Sequence, residues 1–123
     1  MRKLKKSKSS NPDLLGLIRF LKNASKENNV KIWKTLANLL SKTRRNRSSV
    51  NLSRINRYTE KNQTAAVAGK VLGAGLLSHP VTVAAFEFST TARTKIRDAK
   101  GRCLTLPELV KKNPKGSNVK VLG

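Results

Sequence analysis

Few side chains of this 123-residue sequence are of the types that covalent catalysis needs. His79 is the only histidine and Cys103 the only cysteine, and nothing in the local sequence brings them together as a nucleophilic pair. The acids form no close pair for general acid–base catalysis and are spread over Asp13, Glu27, Glu60, Glu87, Asp98 and Glu108. A single cysteine also excludes an internal disulfide and a multi-cysteine metal site. We therefore predict that the protein is not an enzyme and uses no metal, no cofactor and no small-molecule substrate.

Two glycine patterns resemble nucleotide-binding motifs but lack essential members. Gly73–Ser78 has the first two glycines of a dinucleotide fingerprint, but Ser78 stands in place of the third glycine and the segment leads into a strand. Gly69-Lys70 resembles part of a phosphate-binding loop, but Thr64 replaces its first glycine and Val71 its magnesium-binding hydroxyl. Neither pattern predicts a nucleotide site. His79 is interpreted as a turn residue or a phosphate contact, and Cys103 as a small core residue on a strand.

The charge composition points to a polyanionic partner. The sequence holds 27 Lys and Arg against six Asp and Glu, a formal net charge of +21. That much like charge repels itself in a compact state, so an anionic partner is expected. Nucleic acid is the leading candidate, followed by a membrane surface and an acidic protein. The cations are dispersed over an arm, a loop and the ends of several elements, which favours a folded RNA recognised through phosphate, 2′-OH and shape.

Two cationic stretches are the strongest candidates for contacts. Residues 1–10 carry five positive charges and are interpreted as a disordered basic arm. Residues 42–49 carry four cations, among them three arginines within four positions. Guanidinium groups match phosphate oxygens in pairs, which favours binding over the alternative of a solvated charged surface.

The first half of the chain has the spacing of amphipathic helices. A helix is predicted to begin at Asn11-Pro12-Asp13 and to close over residues 25–29. A second runs from Ile32 to Leu40, and we expect Trp33 in its core face rather than as a stacking residue. A short helix capped near Ser53 follows. Its inward positions are predicted to be Leu52, Ile55 and Tyr58.

The second half reads as strands alternating with helices. Residues 65–72 and 81–88 are strands with apolar groups on both faces, so both faces should be covered, and Phe86 and Phe88 are expected to be buried. Ser89 is expected to cap a helix over 90–99, with Gly101 in a left-handed conformation at its end. A strand at 102–104, a capping box at 105–108 and a strand at 119–122 complete the order, helices first and then β-β-α-β-α-β.

These elements predict an α/β fold with irregular β-β-α units and an N-terminal basic helical extension. The expected division is the arm at 1–10 and one domain at 11–123, with a helical extension at 11–62 and an α/β core at 63–123. The longest charge-free window lies between Lys70 and Glu87, shorter than the roughly 20 apolar residues of a membrane span. No signal peptide is recognised, so we expect a cytoplasmic protein that does not bind membranes.

The glycine-rich centre also carries a family resemblance. Its motifs are Lys70-Val-Leu-Gly-Ala-Gly75, Leu77-Ser-His79 and Thr82-Val-Ala-Ala-Phe86, followed by Phe88-Ser89, Ala92-Arg93 and Lys95-Ile96. This order closely resembles large-subunit ribosomal protein eighteen of archaea and eukaryotes in its archaeal form, a family related to bacterial large-subunit ribosomal protein fifteen. The resemblance covers about residues 11–122 and departs at two positions, with Ala68 where the family has proline and Pro80 in place of a basic or polar residue.

The resemblance implies an α/β fold, no catalytic activity, and assembly onto large-subunit ribosomal RNA beside neighbouring ribosomal proteins, in the cytoplasm and bound to the ribosome. Charge and resemblance together predict these RNA-binding residues: Arg2, Lys3, Lys5, Lys6, Lys8, Arg44, Arg45, Asn46, Arg47, Arg54, Arg57, Lys70, His79, Arg93, Lys95 and Arg97. Two alternatives stay open, a general nucleic-acid-binding module of the chromatin or RNA-chaperone kind, and a small enzyme using Cys103 and His79.

Overall fold

The protein is described here by a computed structural model, which covers residues 12–41 and 48–122. The helices are α1 (Pro12–Asn28), α2 (Ile32–Leu40), α3 (Leu52–Tyr58), α4 (Thr90–Asp98) and α5 (Leu106–Lys112). The strands are β1 (Ser48–Asn51), β2 (Gln63–Leu72), β3 (Val81–Phe88), β4 (Arg102–Thr105) and β5 (Val119–Leu122). None of these helices is long and apolar enough to cross a membrane.

The strands form one parallel sheet around β2. One edge of β2 pairs with β3, and β4 pairs with the far side of β3. The other edge of β2 is shared, since residues 64–67 pair with β5 and residues 69–72 pair with β1. The long central strand therefore organises the sheet, and the predicted α/β class is confirmed.

Helices cover both faces of the sheet because β2 and β3 are apolar on both sides. Ala66, Ala68 and Ala84 contact α1, α2 and α5 on one face. Val67 and Val83, on the alternate positions, contact α3 and α4 on the other face. The result is a three-layer arrangement in which a parallel sheet lies between two helical layers, as the apolar composition of both strands predicted.

The first helical layer, formed by α1, α2 and α5, contains the largest buried side chains. Leu21, Trp33 and Leu36 have no exposed surface. The indole Nε1 of Trp33 donates a hydrogen bond to the carbonyl oxygen of Pro114 at 2.8 Å, which fastens the loop after α5 to this layer. Trp33 is a core residue, as expected from its position on an apolar helical face.

The second helical layer consists of α3 and α4, and we call it the α3–α4 layer. It contains an unusual connection between two parallel strands. Eight residues, 73–80, join β2 to β3 without a helix, although a parallel crossover normally takes a dozen or more residues. We call residues 73–80 the link. It runs between α3 and α4, and a Cβ added to Gly73 would lie 2.6 Å from Thr91, while one added to Gly75 would lie 2.4 Å from Ser53. The two glycines let both helices approach the link backbone.

Several local predictions are confirmed, and others need correction. The Ser89 hydroxyl accepts from the amide of Ala92, and the Thr105–Glu108 capping box is complete. The strand β1 was missed, and α3 begins directly after it at Leu52 rather than being capped near Ser53. The apolar signal of β1 is a single valine in a polar stretch, so its pairing with β2 decides its conformation.

The end of α4 also differs from expectation. Lys100, with φ of 70°, takes the left-handed conformation that was predicted for Gly101. The amide of Gly101 donates to the carbonyl oxygen of Ile96 at 2.9 Å. This is the bond that the residue after the left-handed position makes in a Schellman motif. Gly101 is needed for space, because a Cβ there would lie 2.3 Å from the carbonyl oxygen of Val81.

Candidate nucleic-acid interface

Nine of the predicted RNA-binding residues lie outside the described residues. They are Arg2, Lys3, Lys5, Lys6, Lys8, Arg44, Arg45, Asn46 and Arg47. The other seven all belong to the sheet or to the α3–α4 layer, at Arg54, Arg57, Lys70, His79, Arg93, Lys95 and Arg97.

The outer face of α3 carries two arginines and a tyrosine. Leu52 and Ile55 are fully buried and anchor the helix on the sheet. At roughly 100° per residue, Arg54 and Arg57 fall on the opposite side, and Tyr58 falls on the flank beside them. The two arginines are exposed as predicted, but the prediction that Tyr58 faces inward is wrong, because 48% of its surface is exposed. Sequence periodicity alone placed Tyr58 with Leu52 and Ile55, and Thr59 takes the buried position instead.

The exposed arginines of α4 lie across the link from α3. Arg93 and Arg97 are both exposed. The guanidinium of Arg93 lies over the ring of Phe88, 5.0 Å from its centroid, which orients the cation at the end of β3. Phe86 and Phe88 are half-buried and pack against the two core clusters, so the expectation that both are buried holds only in part.

Lys95 has a different environment from its neighbours. It is half-buried, and its ammonium donates to the carbonyl oxygens of Gly73 at 2.7 Å and Gly75 at 3.0 Å. Every other Lys and Arg of the described residues is exposed. Lys95 therefore ties α4 to the link, and an RNA contact by the same ammonium stays a prediction.

His79 is held by a buried hydroxyl. Its Nε2 lies 2.9 Å from Oγ1 of Thr59. Thr59 donates its only hydroxyl proton to the carbonyl oxygen of Ile55 at 2.6 Å, so Nε2 carries a proton and donates to Thr59. The ring is fixed by this bond, which leaves Nδ1 for a further partner. The position before Pro80 agrees with the interpretation of His79 as a turn residue.

Lys70 lies on β2 apart from the α3–α4 layer. It is exposed between two buried positions, and its register partner on β3 is the exposed acid Glu87. Its surroundings are therefore less positive than those of Arg54 or Arg93.

The structure also exposes cations that the prediction left out. Those on or beside the first helical layer are Arg19, Lys22, Lys26, Lys31, Lys34, Lys111, Lys112 and Lys115. The sequence signal for these cations is that each lies outside the apolar stripe of its helix or at the end of an element. Lys115 is placed by the loop after α5 and donates to the carbonyl oxygen of Asn28 at 3.4 Å. Both helical layers thus present positive charge.

The thiol and the acids do not assemble a reactive centre among the described residues. Burial raises the pKa of the Cys103 thiol, and the nearby charges of Arg93 and Arg97 only partly oppose that rise. A raised pKa keeps the thiol protonated and unreactive. Cys103 packs against the α3–α4 core cluster, as its interpretation as a core residue requires. Histidine, cysteine and acidic side chains form no group of three that could hold a metal ion within the described ranges.

Comparisons with known proteins agree with the resemblance. The family model described as ribosomal protein 60S L18 and 50S L18e matches residues 1–123. A protein of Methanoregula boonei named large ribosomal subunit protein eL18 is 53% identical over 113 residues, 92% of this chain and 93% of the relative. The proteins of the same name from Methanospirillum hungatei and Methanothermobacter thermautotrophicus are 48% and 45% identical, over 96% and 97% of this chain and 98% of each relative.

These matches span nearly the whole of both chains and come from archaea, which confirms the archaeal form of the family as predicted. The relation to bacterial large-subunit protein fifteen stays a prediction. The chain belongs to the family of ribosomal protein 60S L18 and 50S L18e.

Proposed function

We propose that this protein is a structural constituent of the large ribosomal subunit. It binds folded large-subunit ribosomal RNA through Lys and Arg contacts to phosphate and 2′-OH groups, beside neighbouring ribosomal proteins in the cytoplasm. The observation that carries the proposal is full-length similarity to proteins named large ribosomal subunit protein eL18.

The distribution of charge supports the same function. The net charge is +21, and the exposed cations of residues 12–41 and 48–122 lie on both helical layers rather than in one positive stripe that would fit one groove of a duplex. A folded RNA offers phosphates on several sides and can compensate both layers at once. The three-layer core provides a rigid body on which these cations keep fixed separations.

The described residues also support a role without catalysis. Cys103 has a raised pKa because it is buried, and His79 is engaged with Thr59. A nucleophilic thiol needs a lowered pKa or an adjacent base, and the raised pKa of Cys103 is the opposite. We therefore propose a structural protein rather than an enzyme. Cys103→Ala is expected to leave growth unaffected.

Co-sedimentation with large subunits through a series of increasing salt washes tests the proposal. A structural constituent stays with the subunit until high salt weakens its phosphate contacts. Release into the soluble pool at low salt would contradict it.

A general nucleic-acid-binding module of the chromatin or RNA-chaperone kind is the second candidate. The dispersed +21 charge favours it, because unspecific binding needs no more than this. Hydroxyl-radical footprinting on large-subunit ribosomal RNA separates the two. One reproducible protected site supports the structural constituent, and diffuse protection supports the general module.

A further inference from the structure

Tyr58 is a large aromatic side chain on the outer face of a short helix. Almost half of its surface is exposed, at 48%. The guanidinium carbons of Arg54 and Arg57 lie 5.7 and 6.0 Å from the centroid of its ring. The three side chains thus form one exposed cluster, which we call the α3 cluster.

The α3 cluster is presented by a rigid support. Leu52 and Ile55 fix α3 on the sheet with no exposed surface. Its flank is fixed by the link, since the side-chain oxygen of Asn56 accepts from the amide of Ser78 at 2.9 Å. Tyr58 belongs to neither set of contacts, so core packing does not explain an aromatic ring at this position.

We infer that Tyr58 is a further nucleic-acid-binding residue, and that the α3 cluster takes an unpaired nucleotide. The base stacks on the Tyr58 ring in place of a guanidinium that lies over it in the free protein, and Arg54 and Arg57 then bind phosphates of the same strand. The inference rests on the proposed function and names one kind of contact that it uses, a stacked base in addition to phosphate and 2′-OH contacts.

The chemistry of the cluster fits this ligand. An aromatic ring stacks on any base, and a guanidinium binds phosphate through paired hydrogen bonds. The sequence of α3, LSRINRY, contains no acid that would repel the phosphates.

Charge complementarity selects nucleic acid over a protein partner. The exposed cations Arg93 and Arg97 of α4, on the same layer, add to the positive charge of Arg54 and Arg57. A stacking contact by a single ring suits one flipped or bulged nucleotide rather than a long single strand.

Binding of the full-length protein to two RNA probes tests the inference. One probe is a short single-stranded RNA, and the other is the duplex that it forms with its complement. We expect Tyr58→Leu to bind the single strand about 5- to 100-fold more weakly and the duplex unchanged, because only unpaired bases can stack. Tyr58→Phe keeps the ring and is expected to bind both probes as the wild type does. Thermal unfolding of both variants checks that the fold is retained.

Ultraviolet crosslinking of the wild type to large-subunit ribosomal RNA gives a second measurement that needs no variant. A nucleotide adduct on Tyr58, identified by mass spectrometry, supports the inference, and its absence overturns it. An equal loss of affinity for both probes in Tyr58→Leu would mean that the ring only positions the two arginines. Stronger binding of an acidic polypeptide than of RNA would assign the cluster to a protein partner.

The proposed function and the role of Tyr58 can fail separately. If the wild type binds neither probe, the proposed function fails. If it binds both and Tyr58→Leu is indistinguishable from the wild type, only the role of Tyr58 fails.

Discussion

The ammonium of Lys95 joins two elements that are far apart in sequence. It donates to the carbonyl oxygens of Gly73 and Gly75 in the link, from its place on α4. Replacing Lys95 by Met keeps the apolar stem and removes both hydrogen bonds. Because these bonds involve a charged donor that is only partly exposed, we expect Lys95→Met to lower the free energy of unfolding by about 1–2 kcal/mol, measured by urea denaturation.

Arg97→Met provides the matched control for Lys95→Met. Arg97 lies two positions further on the same helix and is fully exposed, so its loss should change stability by less than about 0.5 kcal/mol. If Lys95→Met is as stable as the wild type but binds RNA more weakly, Lys95 acts as the RNA contact predicted from the sequence and its bonds to the link are dispensable.

At the scale of elements, the link depends on small residues where helices approach it. Gly75 has φ of 92°, and a Cβ there would lie 2.4 Å from the Cβ and 2.9 Å from the Cα of Ser53. We expect Gly75→Ala to lower the free energy of unfolding by roughly 2–3 kcal/mol, since both the backbone conformation and the contact with α3 are strained.

Gly16→Ala is the opposite case in the same chain. Gly16 lies inside α1, and an added Cβ would meet nothing within 4 Å. Alanine there should raise the free energy of unfolding by about 0.5–1 kcal/mol, because it has the higher helix propensity. Chemical denaturation of the two variants side by side checks both signs. Equal effects would contradict the close contact between the link and α3.

The capping box of α5 predicts a dependence of stability on pH. The amide of Thr105 donates to Oε1 of Glu108 at 2.7 Å, and the amide of Glu108 donates to the hydroxyl of Thr105. Hydrogen bonding of the carboxyl to the backbone of Thr105, and secondly to its side chain, holds the pKa of Glu108 below its usual value. A carboxyl whose pKa is lowered on folding stabilises the protein above its unfolded pKa. That stabilisation is lost as the pH falls through the folded pKa.

Glu108→Gln removes this charge but keeps an oxygen that can accept from the amide of Thr105. We expect thermal unfolding of Glu108→Gln to show a flatter acid limb than the wild type, with the two curves meeting at the lowest pH. Identical acid limbs would show that Glu108 titrates at the same pH in the folded and unfolded chain.

Elements with a strong periodic signal could be predicted from sequence, whereas those defined by tertiary contacts could not. A few consecutive residues are enough to recognise each of these patterns: the apolar stripes of α1 and α2, the strands that are apolar on both faces, and the capping box. β1 has no such signal, since its four residues are Ser, Ser, Val and Asn and its conformation comes from pairing with β2. Tyr58 does not face inward because a repeat of three residues drifts round the helix, and the 3.6-residue period puts Thr59 in the buried position instead.

The candidate site could be predicted only in part for a similar reason. Charge and resemblance identified Arg54, Arg57, Arg93 and Arg97 as surface cations, which they are. The partners of Lys95 and His79 come from the path of the link, which no local pattern specifies. The cations of the first helical layer were left out because single charges on an amphipathic helix have no distinctive spacing.

At the scale of the whole molecule, positive charge on both helical layers predicts that the RNA partner reaches both sides of the sheet. Arg54, Arg57, Arg93 and Arg97 are exposed on one layer, and Arg19, Lys22, Lys111 and Lys112 on the other. Each cation that neutralises a phosphate contributes about −0.7 to −0.9 to the slope of log K against log salt concentration. We therefore expect a steep slope for the wild type on large-subunit ribosomal RNA.

Two quadruple variants, one for each layer, measure how much each layer contributes to this slope. Replacing all four cations of one set by Gln should flatten it by roughly 3 when all four contact phosphate, and the other set should have a similar effect. Filter binding over a salt series measures both, with circular dichroism to verify folding. The removal of like charges should not unfold the protein, because it reduces self-repulsion. Flattening by one set alone would restrict the RNA to that layer. An unchanged slope in both variants would place the phosphate contacts on other cations. It would contradict the prediction that the RNA contacts both helical layers.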